Sequence, residues 1–306
     1  MTRRVLPLDG PFDLPGTLAP LVRGRGDRTV RIASHDAWWA TRTPAGPATL
    51  HLSLSPGILT AEAWGPGAEL VVERAGRLVG LEPARQPTGT LAGIDDTRIS
   101  GLARRRPGVR TLRTEAVFEA LVAAILEQKV TGTEAHRVWH GLVRRHGEPA
   151  PVPPGHDVGL RLLPAPATLA ALPYYAFHPL GLERRRADLI RAVAARASWF
   201  EAIVDLPLPA AYARLLAVPG IGPWTAAEVA VRALGDDDAV SVGDFHIPNL
   251  VAWVLAGEPR ADDARMLELL EPFRGRRALV IRLLELSGSM APRRGPRLAP
   301  RRIEGI

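Results

Sequence analysis

The stretch Pro219-Gly220-Ile221-Gly222-Pro223-Trp224-Thr225 concentrates the residue types of this chain most suited to chemistry. A short helix ending at Val218 leads into it, and Pro223 sits where a second helix begins, a position whose backbone donor would be free anyway. Gly220 and Gly222 permit positive φ and close approach by another backbone, and Ile221 between them can plug the gap between the helices. The free amides of such a hairpin, with those of the following helix N-terminus, form a small cradle for an anion such as a DNA phosphate. An ordinary helix-turn-helix corner accounts for the same residues, because glycine and proline punctuate many turns. The pattern continues to Asp244, 24 residues beyond Gly220, in Asp238-Ala239-Val240-Ser241-Val242-Gly243-Asp244-Phe245-His246-Ile247-Pro248. Four residues ahead of Pro248 and before the apolar Leu250, Val251, Trp253 and Val254, this aspartate is an ideal helix cap.

These residues need a framework, and 306 residues predict about two domains. Hydrophobic residues at 46% and charged residues at 23% exclude wholesale disorder. The absence of cysteine excludes a disulfide framework, a thiolate metal site and a cysteine nucleophile. A net charge of +7 suits a polyanionic partner, and Lys129 is the only lysine, which limits the amine chemistry within reach. No apolar run approaches the length of a membrane span, and Met1-Thr2-Arg3-Arg4 leads into Pro7 and Pro11 instead of a signal core. The expectation is a cytoplasmic protein with no membrane partner.

Residues 28–65 read as short strands: Thr29–Ala33, Trp38–Thr41, Thr49–Leu54 with Leu50, Leu52 and Leu54 alternating against Thr49, His51 and Ser53, and Ile58–Trp64 after the Ser55-Pro56-Gly57 turn. Pro66-Gly67 opens a helical stretch through Leu70, Val71, Leu78 and Val79. The first 88 residues therefore predict a small β-rich α/β module, with a boundary at Gln86-Pro87-Thr88-Gly89. Beyond it the period turns helical. Thr114 is expected to cap a helix with Val117, Phe118, Leu121, Val122 and Ile125 on one face, and Thr133 to start another that stops at Gly147. Further helices fit 182–197, 208–217, 223–234, 248–256, 261–270 and 274–287. Residues 89–289 thus form a helical domain, and 290–306, with five arginines and three prolines, a basic disordered tail.

Taken together, Pro219 to Ala226, Asp244 and Ile125-Leu126-Glu127-Gln128-Lys129-Val130 resemble the helix-hairpin-helix DNA glycosylase superfamily, and most nearly its bacterial DNA-3-methyladenine glycosylase II branch. The resemblance implies an α+β fold, a helical glycosylase core with a small N-terminal β-rich domain. It implies a base-excision enzyme, monomeric on double-stranded DNA, that flips an alkylated base such as 3-methyladenine or 7-methylguanine out of the stack and hydrolyses its N-glycosidic bond. A related enzyme for deaminated or mispaired bases, and a DNA-binding member without catalysis, are the alternatives.

In this reading Asp244 is the catalytic carboxylate, stabilising positive charge at the sugar and orienting or deprotonating water. Trp224 stands where lyase-competent relatives carry a lysine, so the expectation is a monofunctional enzyme that leaves the abasic strand uncut and is not trapped by borohydride. Its indole favours a cationic base, and Tyr174, Tyr175 and His178 are further candidates for the base pocket. Val218, Gly220, Ile221, Gly222 and Thr225 would hold the DNA backbone, and Gln128 or Lys129 would fill the space left by the flipped base. No cofactor or catalytic metal is expected, beyond a monovalent cation on the hairpin carbonyls. Two departures stand out: a lysine where an apolar wedge is usual, and a last helix, Arg277 to Leu284, without the pocket aromatic of its relatives. Arg104–Arg106, Arg144–Arg145 and Arg184–Arg186 are candidate phosphate contacts or plain solvated faces, and Asp236, Asp237 and Asp238 read as a solvated loop.

Overall fold

The computed structural model describes residues 1–82, 96–153, 155–156 and 158–292. The expected boundary at Gln86–Gly89 and all but the first residues of the expected tail lie outside the described residues.

Five antiparallel strands, β1 (Thr2–Pro7), β2 (Val30–Ile32), β3 (Asp36–Thr43), β4 (Gly46–Ser55) and β5 (Ile58–Trp64), form one sheet in the order β1-β5-β4-β3-β2. The leucine alternation places Leu50 and Leu52 in the core beneath the sheet, where helices α1 (Leu14–Leu18), α2 (Ala68–Glu73) and α3 (Ala75–Leu78) cover them. His51 turns to the other face, stacked on Trp38 at 4.0 Å. Strand β1 escaped the sequence reading because Arg3-Arg4 hides its alternation; as an edge strand it buries only Leu6 and takes its register from β5.

Helix α4 (Thr97–Arg105) leads into the helical part: α5 (Val117–Glu127), α6 (Gly132–His146), α7 (Pro166–Ala171), α8 (Tyr174–Phe177), α9 (Arg184–Ala194), α10 (Ala197–Glu201), α11 (Leu208–Leu216), α12 (Pro223–Val229), α13 (Ile247–Ala256), α14 (Asp263–Leu270) and α15 (Arg277–Leu286). α5 is apolar all round and central, with every residue from Ala120 to Leu126 buried. Its start differs from expectation. Thr114 lies two residues before the N-cap, Ala116, and the amides of Val117 and Phe118 donate instead to the Glu201 carboxylate at 3.1 and 2.9 Å, a cap supplied across 84 and 83 residues of sequence. α6 starts at Thr131, not Thr133, because Thr131 and Glu134 close a reciprocal capping box; Gly147 ends it as expected.

The sheet and the helices meet at a buried acid. Glu115 pairs with Arg74, Arg77 and Arg113 at 2.9–3.0 Å, and its backbone is left-handed, φ 54°. The amides of Thr114 and Glu115 donate to the carbonyls of Arg232 and Ala233, which a π-helical turn at Ala230–Leu234 leaves open. No helix among the described residues is long and apolar enough to cross a membrane.

Candidate functional site

The glycine–proline corner is a hairpin between α11 and α12. Gly220 has φ 96°, and a Cβ there would meet Leu189 of α9 at 3.0 Å, so both backbone and space ask for glycine. Ile221 is 4% exposed and fills the gap between the helices, with Val218 half-buried beside the same core. The cradle is narrower than expected from sequence, because the Ile221 amide is spent inside the turn on the Val218 carbonyl at 3.0 Å. Gly220 is exposed, and around Gly222 the space a side chain would take is open.

Gln128, the C-cap of α5, reaches across 92 residues to this corner. Its Nε2 donates to the Gly220 carbonyl at 3.0 Å and to the buried Thr225 hydroxyl at 2.9 Å. That amide is therefore committed to the hairpin, and so is one lone pair of a carbonyl proposed for cation binding. Lys129 is the opposite: exposed, with φ 54°, a left-handed conformation that costs a non-glycine residue on the order of 1–2 kcal/mol. The capping box that begins α6 at Thr131 holds the far side of this turn.

Asp244 is half-buried, and its two oxygens have separate partners. Oδ1 accepts the amides of His246 and Ile247 at 2.7 and 2.9 Å, so Asp244 serves the start of α13 from two residues before its N-cap, His246, instead of occupying the cap position. Oδ2 accepts the Trp224 indole N–H at 3.0 Å. Service to that helix terminus and presentation toward the hairpin therefore coexist in one side chain. The loop is fastened on both sides: the Asp244 amide donates to the Ser241 carbonyl, and Gly243 N–H donates to the Asp263 carboxylate of α14. Phe245, next in sequence, is 72% exposed and rests edge-on against His246. Sequence reasoning passed over this aromatic beside the carboxylate; its want of an apolar-periodic partner was the available signal.

The remaining candidates fall elsewhere. Tyr174 on α8 lies under the Arg184 guanidinium at 4.9 Å and edge-on to His178 at 5.6 Å, while Tyr175 is exposed. No described contact joins these three to Asp244 or Trp224. Arg104–Arg106, Arg144, Arg145, Arg184 and Arg185 are exposed, but Arg186 is buried and donates to the Leu126 carbonyl at 2.8 Å, so it caps α5 and faces no solvent. The expected solvated loop is ordered packing instead. Asp236 is buried and accepts the Tyr212 hydroxyl at 2.8 Å; burial pushes Asp237 up to about 6; Asp238 grips Arg277 at the start of α15 with contacts of 2.6 and 2.8 Å. The Asp238 carboxylate also accepts the amides of Gly275 and Arg277 ahead of and at the start of α15, so it serves that helix terminus, while Asp236 serves Tyr212. A cavity of about 410 Å³ adjoins this loop among Leu208, Tyr212, Asp236, Val240, Val242 and Arg277. Its polar walls are already paired with one another. Among the described residues no cluster of histidine and acid suits a metal ion.

No family profile matches the chain. It is 31% identical over 173 residues, 56% of its length, to the "Probable bifunctional transcriptional activator/DNA repair enzyme AlkA" of Mycobacterium tuberculosis, and that match spans about a third, 34%, of the relative. It is 28% identical over 230 residues to the DNA-3-methyladenine glycosylase 2 of Escherichia coli, covering 74% of this chain and 73% of that one. Its fold is shared with a 3-methyladenine DNA glycosylase from Archaeoglobus fulgidus, with a TM-score of 0.76 over 94% of this chain and 99% of the other at 20% identity.

Proposed function

We propose that the chain is a member of the helix-hairpin-helix DNA glycosylase superfamily, on the branch of bacterial DNA-3-methyladenine glycosylase II, and that it is a monofunctional glycosylase removing alkylated purines from duplex DNA; the similarity to the two curated relatives and the shared fold support this reading. What carries the reading is Asp244, a half-buried carboxylate bonded by an indole N–H and two helix amides beside the hairpin. Among the described residues no cation neutralises it, so its charge is available to a positive centre on a ligand.

The chemistry follows from that arrangement. The hairpin around Gly220 and Gly222 takes the phosphate backbone, with Val218, Ile221 and Thr225 shaping it from behind. The target base leaves the stack, and the exposed Lys129 enters the space it vacates while Gln128 anchors the turn. As the glycosidic bond stretches, the sugar acquires oxocarbenium character, which Asp244 stabilises while it orients the attacking water. A base methylated on N3 or N7 is cationic and leaves readily, and an indole or exposed aromatic face such as Trp224 or Phe245 favours it by about 0.5–2 kcal/mol. Tyr174, Tyr175 and His178 belong to this proposal as an outer wall only if the DNA-bound protein brings them closer. Trp224 offers no amine for a Schiff base, and Lys129 is the one lysine of the 306 residues. The carbonyls of the hairpin are proposed to hold a monovalent cation, and the DNA-bound protein is proposed to be a monomer.

The test is single-turnover excision from duplexes carrying 3-methyladenine or 7-methylguanine, with hypoxanthine and uracil duplexes in competition. The expected outcome is alkali-labile sites from the methylated duplexes, few direct nicks and no borohydride trapping. Preference for hypoxanthine or uracil would replace the substrate class, and binding without release of any base would replace the enzyme with a DNA-binding protein.

A further inference from the structure

A buried chain of charges runs beneath the site and touches both the turn that carries Lys129 and the loop that carries Asp244. It begins at the last residue of α5, Glu127, one position before Gln128. The Arg232 guanidinium, in the π-helical turn after α12, pairs with Glu127 Oε2 at 3.0 Å through one nitrogen and with Glu228 Oε2 at 2.7 Å through the other. Glu228 then accepts the hydroxyl of the buried Ser241, whose own carbonyl holds the Asp244 amide. Glu228 lies one helical turn after Trp224, on the same side of α12. Arg23, from the sheet side, approaches Glu127 Oε1 at 4.0 Å. The three central side chains are 12–18% exposed.

We propose that Arg232 is a positioning residue for the Asp244 chemistry: it clamps the loop that carries Asp244 through Glu228 and Ser241, and the turn that presents Lys129 through Glu127. This rests on the reading of Asp244 and Lys129 given above. A guanidinium is suited to the task because its planar fork serves two carboxylates at once and keeps its charge at any physiological pH. The electrostatics agree. Burial alone would raise Glu127, but Arg232 and Arg23 outweigh it and hold it below the ordinary range; burial raises Glu228 in spite of Arg232, with Glu127 and Asp244 adding to the rise. Without the guanidinium, Glu228 would be left with the Ser241 hydroxyl and Glu127 with Arg23 at 4.0 Å, in a low-dielectric space near the Asp244 carboxylate. The π-helical turn is the local distortion that accompanies this placement, and such turns recur at functional sites.

The experiment compares Arg232→Met, Arg232→Lys and Glu228→Gln in the full chain. Two nuclear magnetic resonance reporters need no activity: the Trp224 indole N–H, bonded to Asp244, and the Gln128 side-chain amide, bonded to Gly220 and Thr225. In Arg232→Met both cross-peaks are expected to move toward unbonded positions or broaden; in Arg232→Lys they stay near their wild-type positions. Single-turnover excision by Arg232→Met should fall about tenfold near pH 6, with the acid limb of its profile moved up by about one pH unit, since two carboxyls lose their partner. In Glu228→Gln, where one acid is gone and its hydrogen bonds remain possible, the limb moves down. The other charges around the loop, Asp263 on Gly243, His246, Arg23 and Glu127, are the same in all variants. Unmoved cross-peaks in Arg232→Met, or limbs that shift the same way in Arg232→Met and Glu228→Gln, overturn the proposal. A wild type that excises nothing overturns the glycosylase reading and leaves the cross-peaks to decide the clamp.

Discussion

Two regions of the molecule each hold a key carboxylate beside a non-glycine residue in the left-handed region, and they use them in opposite ways. At the seam between sheet and helices both features fall on Glu115, which is 4% exposed and carries three arginines. At the hairpin they are divided: Lys129 takes the strained backbone at an exposed turn, and Asp244 is the half-buried carboxylate held by N–H groups alone. Strain in a buried, saturated position is offset by the contacts around it. On an exposed turn it is offset only by the anchors to either side, here Gln128 and the Thr131 capping box, and what it gains is presentation of a side chain to the outside. The same contrast holds for charge. A carboxylate surrounded by guanidinium groups has nothing left to give a positive centre, whereas one bonded to neutral donors still does.

Exchanging the two acids for neutral residues should separate these roles. Asp244→Asn is expected to lower single-turnover excision by roughly 10²–10³-fold, the range seen when one preorganised electrostatic group is removed, while the melting temperature changes little. Glu115→Ala should do the reverse. Breaking a buried ion cluster by removing one partner costs about 3–5 kcal/mol, so the melting temperature falls steeply while excision per folded molecule stays within a small factor of wild type. Equal excision by wild type and Asp244→Asn would remove that carboxylate from the mechanism and dissolve the contrast.

The seam should also respond to pH. Glu119 on α5 accepts the Thr41 hydroxyl and the Arg42 amide of β3, and burial, with Glu201 close by, pushes it up to about 7; burial pushes Glu201 up to about 7 as well. Both folded-state values lie above those of the unfolded chain, so the folded state binds more protons. Their contribution to stability is complete below about pH 4.5 and is lost as pH rises through 7. Urea unfolding between pH 5 and pH 8 should therefore show a loss on the order of 5 kcal/mol from the two groups together, and Glu119→Gln should reduce it by about half, leaving the Glu201 share. An unchanged slope in that variant would assign the dependence elsewhere.

Much of this was legible in the residues. Short strand-like runs between turn signals, with period-2 leucines in one of them, located four of the five strands, and the hairpin residues with Asp244 pointed to one corner of the helical part. What escaped has a common cause: it depends on partners distant in sequence. The cap of α5 comes from Glu201, the buried triad needs Glu127 and Arg232 brought together across 105 residues, and in the acidic loop Asp236 meets Tyr212, 24 residues back, while Asp238 meets the α15 terminus 39 residues on. Local spacing predicts a threonine cap or a solvated acidic loop in each case because it knows nothing of those partners. Even so, Glu228 and Arg232 stand four apart, a spacing at which a helical ion pair can be anticipated. The preference proposed for Lys129 over Gln128 was likewise closed to spacing, since what supports it is a hydrogen bond to Gly220 and one value of φ.

That choice admits a direct test in which stability and activity move apart. Lys129→Gly relieves a left-handed conformation costing roughly 1–2 kcal/mol, less about 0.5–1 kcal/mol for the greater freedom of glycine in the unfolded chain. The expected net gain is about 0.5–1 kcal/mol, read as a slightly higher melting temperature. If the lysine fills the duplex, the same variant loses its occupant of the vacated space, and excision should fall about tenfold under subsaturating protein with less effect at saturation. Lys129→Ala keeps the strain and loses the side chain, so its excision should match the glycine variant while its melting temperature does not rise. Full activity in both would leave the turn strained without a duty toward DNA, and would make the exposed backbone at Lys129 a consequence of how Gln128 and Thr131 are anchored.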